Sequence, residues 1–164
     1  MAGPASTDCD RAEEVNDMRF RITTTAILLA TSFVAFASKP ETLQQLIARA
    51  ESAKLEDRPA LYVEIADRQL TSADGLYTAG KVDDARSAVS DVVTYSEKAH
   101  DSAIQSGKRL KSTEITFRRM AAKLRDIKRS LNFDDQAPVQ AAADRLESLR
   151  TDLLSHMFGK GKGK

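Results

Sequence analysis

The chain has 164 residues, 25 Lys and Arg against 24 Asp and Glu, and a mean hydropathy of −0.40. So balanced a charge selects no class of partner, and a single cysteine, Cys9, excludes an intramolecular disulfide. Tryptophan is absent, aromatic residues make up 5%, Gly and Pro are few and alanine is abundant, a mixture that favours helices over a sheet, so the expected fold class is all-α.

Residues 1–17 carry Asp8, Asp10, Glu13, Glu14 and Asp17 against Arg11, the wrong sign for the start of a signal peptide, so Met18 is the expected initiator. Arg19 and Arg21 then precede an uncharged run from Ile22 to Ser38, with small residues Ala35 and Ala37 at signal-peptidase spacing. Thr23, Thr24, Thr25, Thr31 and Ser32 dilute the run, which suits a cleaved signal peptide over residues 18–37 better than a span of about 20 apolar residues. The alternative is an anchor with an acidic cytoplasmic tail. Cleavage leaves Ser38 first, with no stable membrane span, and a periplasmic or secreted location follows.

Residues 38–158 read as one helical domain. A first helix is expected over about residues 40–55, with Leu43, Leu46, Ile47 and Ala50 on one face. Asp57 and Pro59 mark the start of a second, whose buried side is Tyr62, Ile65, Ala66, Gln69, Ala73, Leu76 and Tyr77, and Gly80 ends it. From Val82 apolar or small residues recur at alternating steps of three and four through Leu131, without a slip at Gly107. That register predicts one helix over residues 82–131, about 75 Å long, with a hairpin broken at Ser106 and Gly107 as the alternative. Residues 132–138 read as a loop ending in a cap at Asp134 or Asp135. A last helix follows with Val139, Ala142, Leu146, Leu149, Leu153 and Met157 as its stripe, and residues 159–164 form a flexible basic tail. The expected architecture is an antiparallel bundle in which the second and last helices fold back on opposite halves of a long central one.

The corner Leu76-Tyr77-Thr78-Ala79-Gly80-Lys81-Val82-Asp83-Asp84-Ala85 resembles the helix-turn-helix of a tetratricopeptide repeat. In that family the turn glycine, the acidic pair and the small alanine allow close helix contact, roles the resemblance gives to Gly80, Asp83, Asp84 and Ala85. It covers a single hairpin, about residues 62–95, with Gln69 and Ser72 where the repeat has its early tryptophan and leucine. It implies a protein-binding function.

No nucleophile motif, phosphate loop or Cys-His cluster occurs after Ala37, so the expectation is a non-enzyme with no cofactor, no metal and no inferred small-molecule substrate. Glu97 and His100 have the Glu-x-x-His spacing of di-iron bundles, but no second copy exists and the seam places them on its flanks, exposed. Tyr62, Tyr77 and Tyr95 are explained by packing with their hydroxyls at the rim. Charge distribution says more: residues 106–130 hold nine basic and two acidic residues. Helical projection gathers Lys111, Arg118, Arg125 and Arg129 into a ridge beside the core stripe, the candidate anion or partner contact. The first expectation is a protein partner or self-association, with the ridge pairing to acids on a neighbouring helix or subunit; the second is an anionic envelope polymer bound by the basic segment 108–129. The functional reading is an exported interaction or scaffold module.

Overall fold

The computed structural model describes residues 41–159. The expected leader, signal peptide, first residues of the exported chain, and lysines 160, 162 and 164 of the basic tail lie outside the described residues. Five helices make up the described chain: α1 (Leu43–Ser52), α2 (Arg58–Thr78), α3 (Val82–Ser106), α4 (Leu110–Ser130) and α5 (Phe133–Phe158), with no strand among these residues. The fold is an all-α bundle. None of the helices is long and apolar enough to cross a membrane.

Local chemistry sets the boundaries. Thr42 and Gln45 form a reciprocal capping box, the Thr42 hydroxyl accepting from the Gln45 amide and the Gln45 side chain from the Thr42 amide. Pro59 sits in the first turn of α2, where its missing N–H costs nothing. Asp57, the expected cap, has helical backbone angles and no capping hydrogen bond. At the other end of α2, Gly80 adopts φ +73 while the amides of Gly80 and Lys81 donate to the carbonyls of Tyr77 and Leu76, a complete Schellman turn.

The single helix expected over residues 82–131 is instead two, broken at residues 107–109. Gly107 has φ +67 and Arg109 φ +60, so the chain passes through the left-handed region twice and reverses direction. Periodicity missed this because three turn residues stand in for nearly one helical turn, and the count of apolar positions therefore continues in phase. Those positions are nevertheless inward: Ala85, Val89, Val92, Ser96, Ala99, Ala103, Thr113, Phe117, Met120, Leu124 and Ile127 are all buried. The loop expected at residues 132–138 also shrinks. Asn132 is the cap position of α5, Asp134 and Asp135 occupy its first turn, and Pro138 lies inside the helix.

The break changes the packing. α2 with α3 and α4 with α5 form two antiparallel hairpins, stacked so that α3 lies along α5 and α2 along α4. Arg86–Asp135, Arg145–Glu97 and His100–Asp152 contacts run in the same direction along both helices, so α3 and α5 are parallel. Around the bundle the order is α2, α3, α5, α4, and α2 does not pack on α5. Two core clusters fill the interior. One, near the Gly80 turn, joins Leu70, Val92, Met120, Leu124, Val139 and Leu146. The other, near the Gly107 turn, joins Ile65, Ala99, Ala103, Phe117 and Leu153, with Leu46 and Ala50 of α1 completing it.

Candidate functional site

The basic segment divides by direction around α4. On the side facing α2, Arg119 meets Asp67 at 3.2 Å and Lys123 meets Asp74 at 2.6 Å. Hydrogen bonding to Asp74 holds the Lys123 ammonium above its ordinary range. On the side facing α5, Arg125 reaches Glu147 at 3.0 Å, and Arg150 of α5 reaches back to Glu114 at 2.6 Å and to its own helix's Glu147 at 3.2 Å. Burial raises the Glu147 pKa, but the hydrogen bonds from Arg125 and Arg150 outweigh it and leave the carboxyl below its ordinary 4.5. These cations are clamps between helices. Arg119 and Lys123 were not among the expected contacts, although their i, i+4 spacing puts them on one flank of the stripe.

The ridge residues behave differently. Lys111, Arg118, Arg125 and Arg129 line one exposed strip of α4 between the flank that faces α5 and the outermost positions Ile115 and Ala122. All four are exposed, and only Arg125 pairs with another helix. Arg129 bonds Asp126 within α4, while Lys111 and Arg118 have no ion-pair partner among the described residues. Ile115 stands between those two cations, 44% exposed. The face therefore offers an apolar side chain bracketed by two uncompensated positive charges, which suits an acidic, partly apolar counterpart.

Two sequence readings need correction here. His100, expected at an exposed flank, is 9% exposed, its ring nitrogens 3.0 Å from Asp101 Oδ1 and 2.8 Å from Asp152 Oδ2. A neutral imidazole donates to one such carboxylate; a doubly protonated ring donates to both. The His100 ring thus ties α3 to α5, whereas Glu97, three residues earlier, is taken by Arg145 at 2.7 Å. A cavity of about 330 Å³ opens beside them, lined by Glu97, His100, Asp101, Arg145 and Asp152. Among the described residues no three His, Cys, Asp or Glu side chains are grouped to hold a metal ion. The Tyr77 hydroxyl, expected at the rim, is buried without a hydrogen-bond partner among the described residues; burial raises its pKa, Arg86 lowers it and Asp135 raises it.

The corner at residues 76–85 joins α2 and α3, whose Ala73 and Ala85 have zero exposure, with Asp83 and Asp84 in the first turn of α3. No protein-family model, curated protein or solved structure matches the chain.

Proposed function

We propose that the protein is exported and non-catalytic, an interaction or scaffold module of the cell envelope that binds a protein partner on the outer face of α4. The supporting observation is Ile115, exposed between Lys111 and Arg118, two cations with no ion-pair partner among the described residues, while their neighbours Arg119, Lys123 and Arg125 clamp the bundle. The tetratricopeptide-like hairpin is read in the same sense, as a device for helix contact. Export through residues 18–37 is part of the proposal, and N-terminal sequencing of the native protein is expected to find Ser38 first.

A photo-reactive residue at position 115, introduced in the native host, tests the reading. One discrete protein adduct is expected, and it should disappear in a Lys111→Glu, Arg118→Glu variant. Lys111 is in the first turn of α4, where a carboxylate suits the helix dipole, so that variant should stay folded. An anionic polymer is the second reading, favoured because Lys111, Arg118 and Arg129 meet no carboxylate of another helix among the described residues. It predicts no adduct, with retention on lipopolysaccharide falling in the same variant and its salt dependence flattening.

A further inference from the structure

The turn between α3 and α4 closes the bundle against local preference. Gly107, Lys108 and Arg109 are exposed, Gly107 and Arg109 both have positive φ, and α4 starts with no side-chain cap and no acid in its first turn. Among the described residues the only ion pair of Arg109 is the 3.9 Å contact with Asp57. Hydrogen bonds on either side of the turn already have helical spacing: the Gly107 amide donates to the Ala103 carbonyl and the Thr113 amide to that of Arg109, each at 2.9 Å.

The core stripe keeps step across the same residues. Ala99, Ala103, Ser106, Leu110, Thr113 and Phe117 follow one another at intervals of three or four, and all are buried or half-buried. With residues 107–109 helical, α3 and α4 become one helix about 75 Å long, both half-stripes lie on one side of it, and the amides that open α4 gain acceptors in the last turn of α3. A turn one residue longer or shorter would rotate the half-stripes apart by about 100°. The closed hairpin needs no such match of phase.

A straight helix cannot fold its own α4 back, but a second copy holds everything that α4 and α5 bury. Arg86–Asp135, Glu97–Arg145 and His100–Asp152 join α3 to α5, and Asp67–Arg119 and Asp74–Lys123 join α2 to α4; each pairs a residue before the turn with one after it. Two straight helices related by a two-fold axis run antiparallel, which sets α3 of one chain antiparallel to α4 of the other, the relation they already have in the closed chain. Each end of the pair then rebuilds the same core. We propose that this chain takes a second copy of itself as partner, the two exchanging their α4–α5 hairpins through a continuous α3–α4 helix. The exchange uses the buried faces between hairpins and so goes beyond the contact proposed for Ile115. The short turn holds the hairpins at an effective concentration of about millimolar, so exchange is favoured by concentrated protein and by anything that favours helix at residues 107–109.

Refolding a mixture of heavy-nitrogen-labelled and unlabelled chains at high concentration tests it. A carbodiimide couples the Lys123 amine to the Asp74 carboxylate, 2.6 Å apart, and mass spectrometry of the joined peptides reads whether they carry one label or two. Mixed-label Asp74–Lys123 peptides are expected in the dimer fraction, and single-label ones in the monomer. Gly107→Ala removes the residue that tolerates the left-handed turn and takes a glycine out of the straight helix, so the dimerisation constant should rise about a thousandfold. Arg109→Gly acts in the opposite sense and should lower it about a hundredfold. One alanine inserted between residues 107 and 108 of the Gly107→Ala chain breaks the phase of the stripe and should cancel the gain. A Gly107→Ala chain that stays monomeric at every concentration would overturn the proposal, as would dimers whose Asp74–Lys123 peptides carry a single label. Dimers held through Ile115 leave that amide within one chain, so the outcome is independent of crosslinking at position 115.

Discussion

At Gly80 the chain turns through a Schellman motif whose two amides are matched to the Tyr77 and Leu76 carbonyls, and the helix that follows carries Asp83 and Asp84 in its first turn. At Gly107 the amide bonds back to Ala103, but a second left-handed residue, Arg109, is needed before α4 starts, and the charges at its start are Lys108, Arg109 and Lys111. Acids favour a helix N-terminus and cations oppose it. The first turn is therefore reinforced by its flanking charges, whereas the second is favoured at Gly107 but opposed by the positive φ of Arg109 and by the cations at the start of α4. The hairpins differ likewise. α2 and α3 are joined by the Gln69–Asp91 hydrogen bond at 2.8 Å and by Lys98 over the Tyr62 and Tyr95 rings, while α4 and α5 depend on the Arg125, Glu147, Arg150 and Glu114 network.

Replacing either glycine gives the largest expected effect on this comparison. A Cβ at Gly80 or Gly107 meets nothing within 4 Å, so the cost is backbone alone. Gly80→Ala and Gly107→Ala should each lose about 1–2 kcal/mol in denaturant melts. A gain at Gly107→Ala would instead restore the continuous helix that periodicity suggests.

Arg109→Gly is the next in size and has the opposite sign. It relieves a positive φ on a side chain with a Cβ, whose only ion pair among the described residues is a 3.9 Å contact with Asp57. Stability should rise by up to about 1 kcal/mol. The corresponding change at Lys81, where φ is −88, should bring no such gain.

The smallest effect separates the hairpins by pH. Because the folded pKa of Glu147 lies below its ordinary 4.5, its contribution is complete above that value and is lost as the pH falls through the lowered one. Glu147→Gln should cost a few tenths of a kcal/mol at neutral pH. That difference from the parent should vanish in acid, and hydrogen exchange in acid should rise in α4 and α5 before α2 and α3.

The inward stripes, the first two helices and the Gly80 turn were legible in the sequence because each rests on neighbours within a few residues. Leu46, Ala50, Tyr62, Ile65 and Ala73 are buried where a 3.6-residue period places them. Gly80 is left-handed because its local motif demands it. Lys111, Arg118, Arg125 and Arg129 were legible as one exposed ridge for the same reason, a fixed spacing on one helix. What the ridge contacts was not legible, since Glu147 lies 22 residues from Arg125 and on another helix.

By itself, then, the sequence determined that the chain is helical and which side of each helix faces inward, since period and propensity act along the chain. Tertiary structure decided the rest. The break at Gly107 leaves the apolar period intact and changes only the direction of the axis, so periodicity does not report it: glycine accommodates the left-handed φ, and burial of the two half-stripes in one core sets the return. Folding α4 back along α2 and α5 then brought Asp67, Asp74 and Glu147 to its flanks, neutralising some cations and leaving Lys111 and Arg118 outward. It also set His100 against Asp152, 52 residues away. Charge pairing over such separations depends on which helices become neighbours, and that is fixed only when the bundle closes.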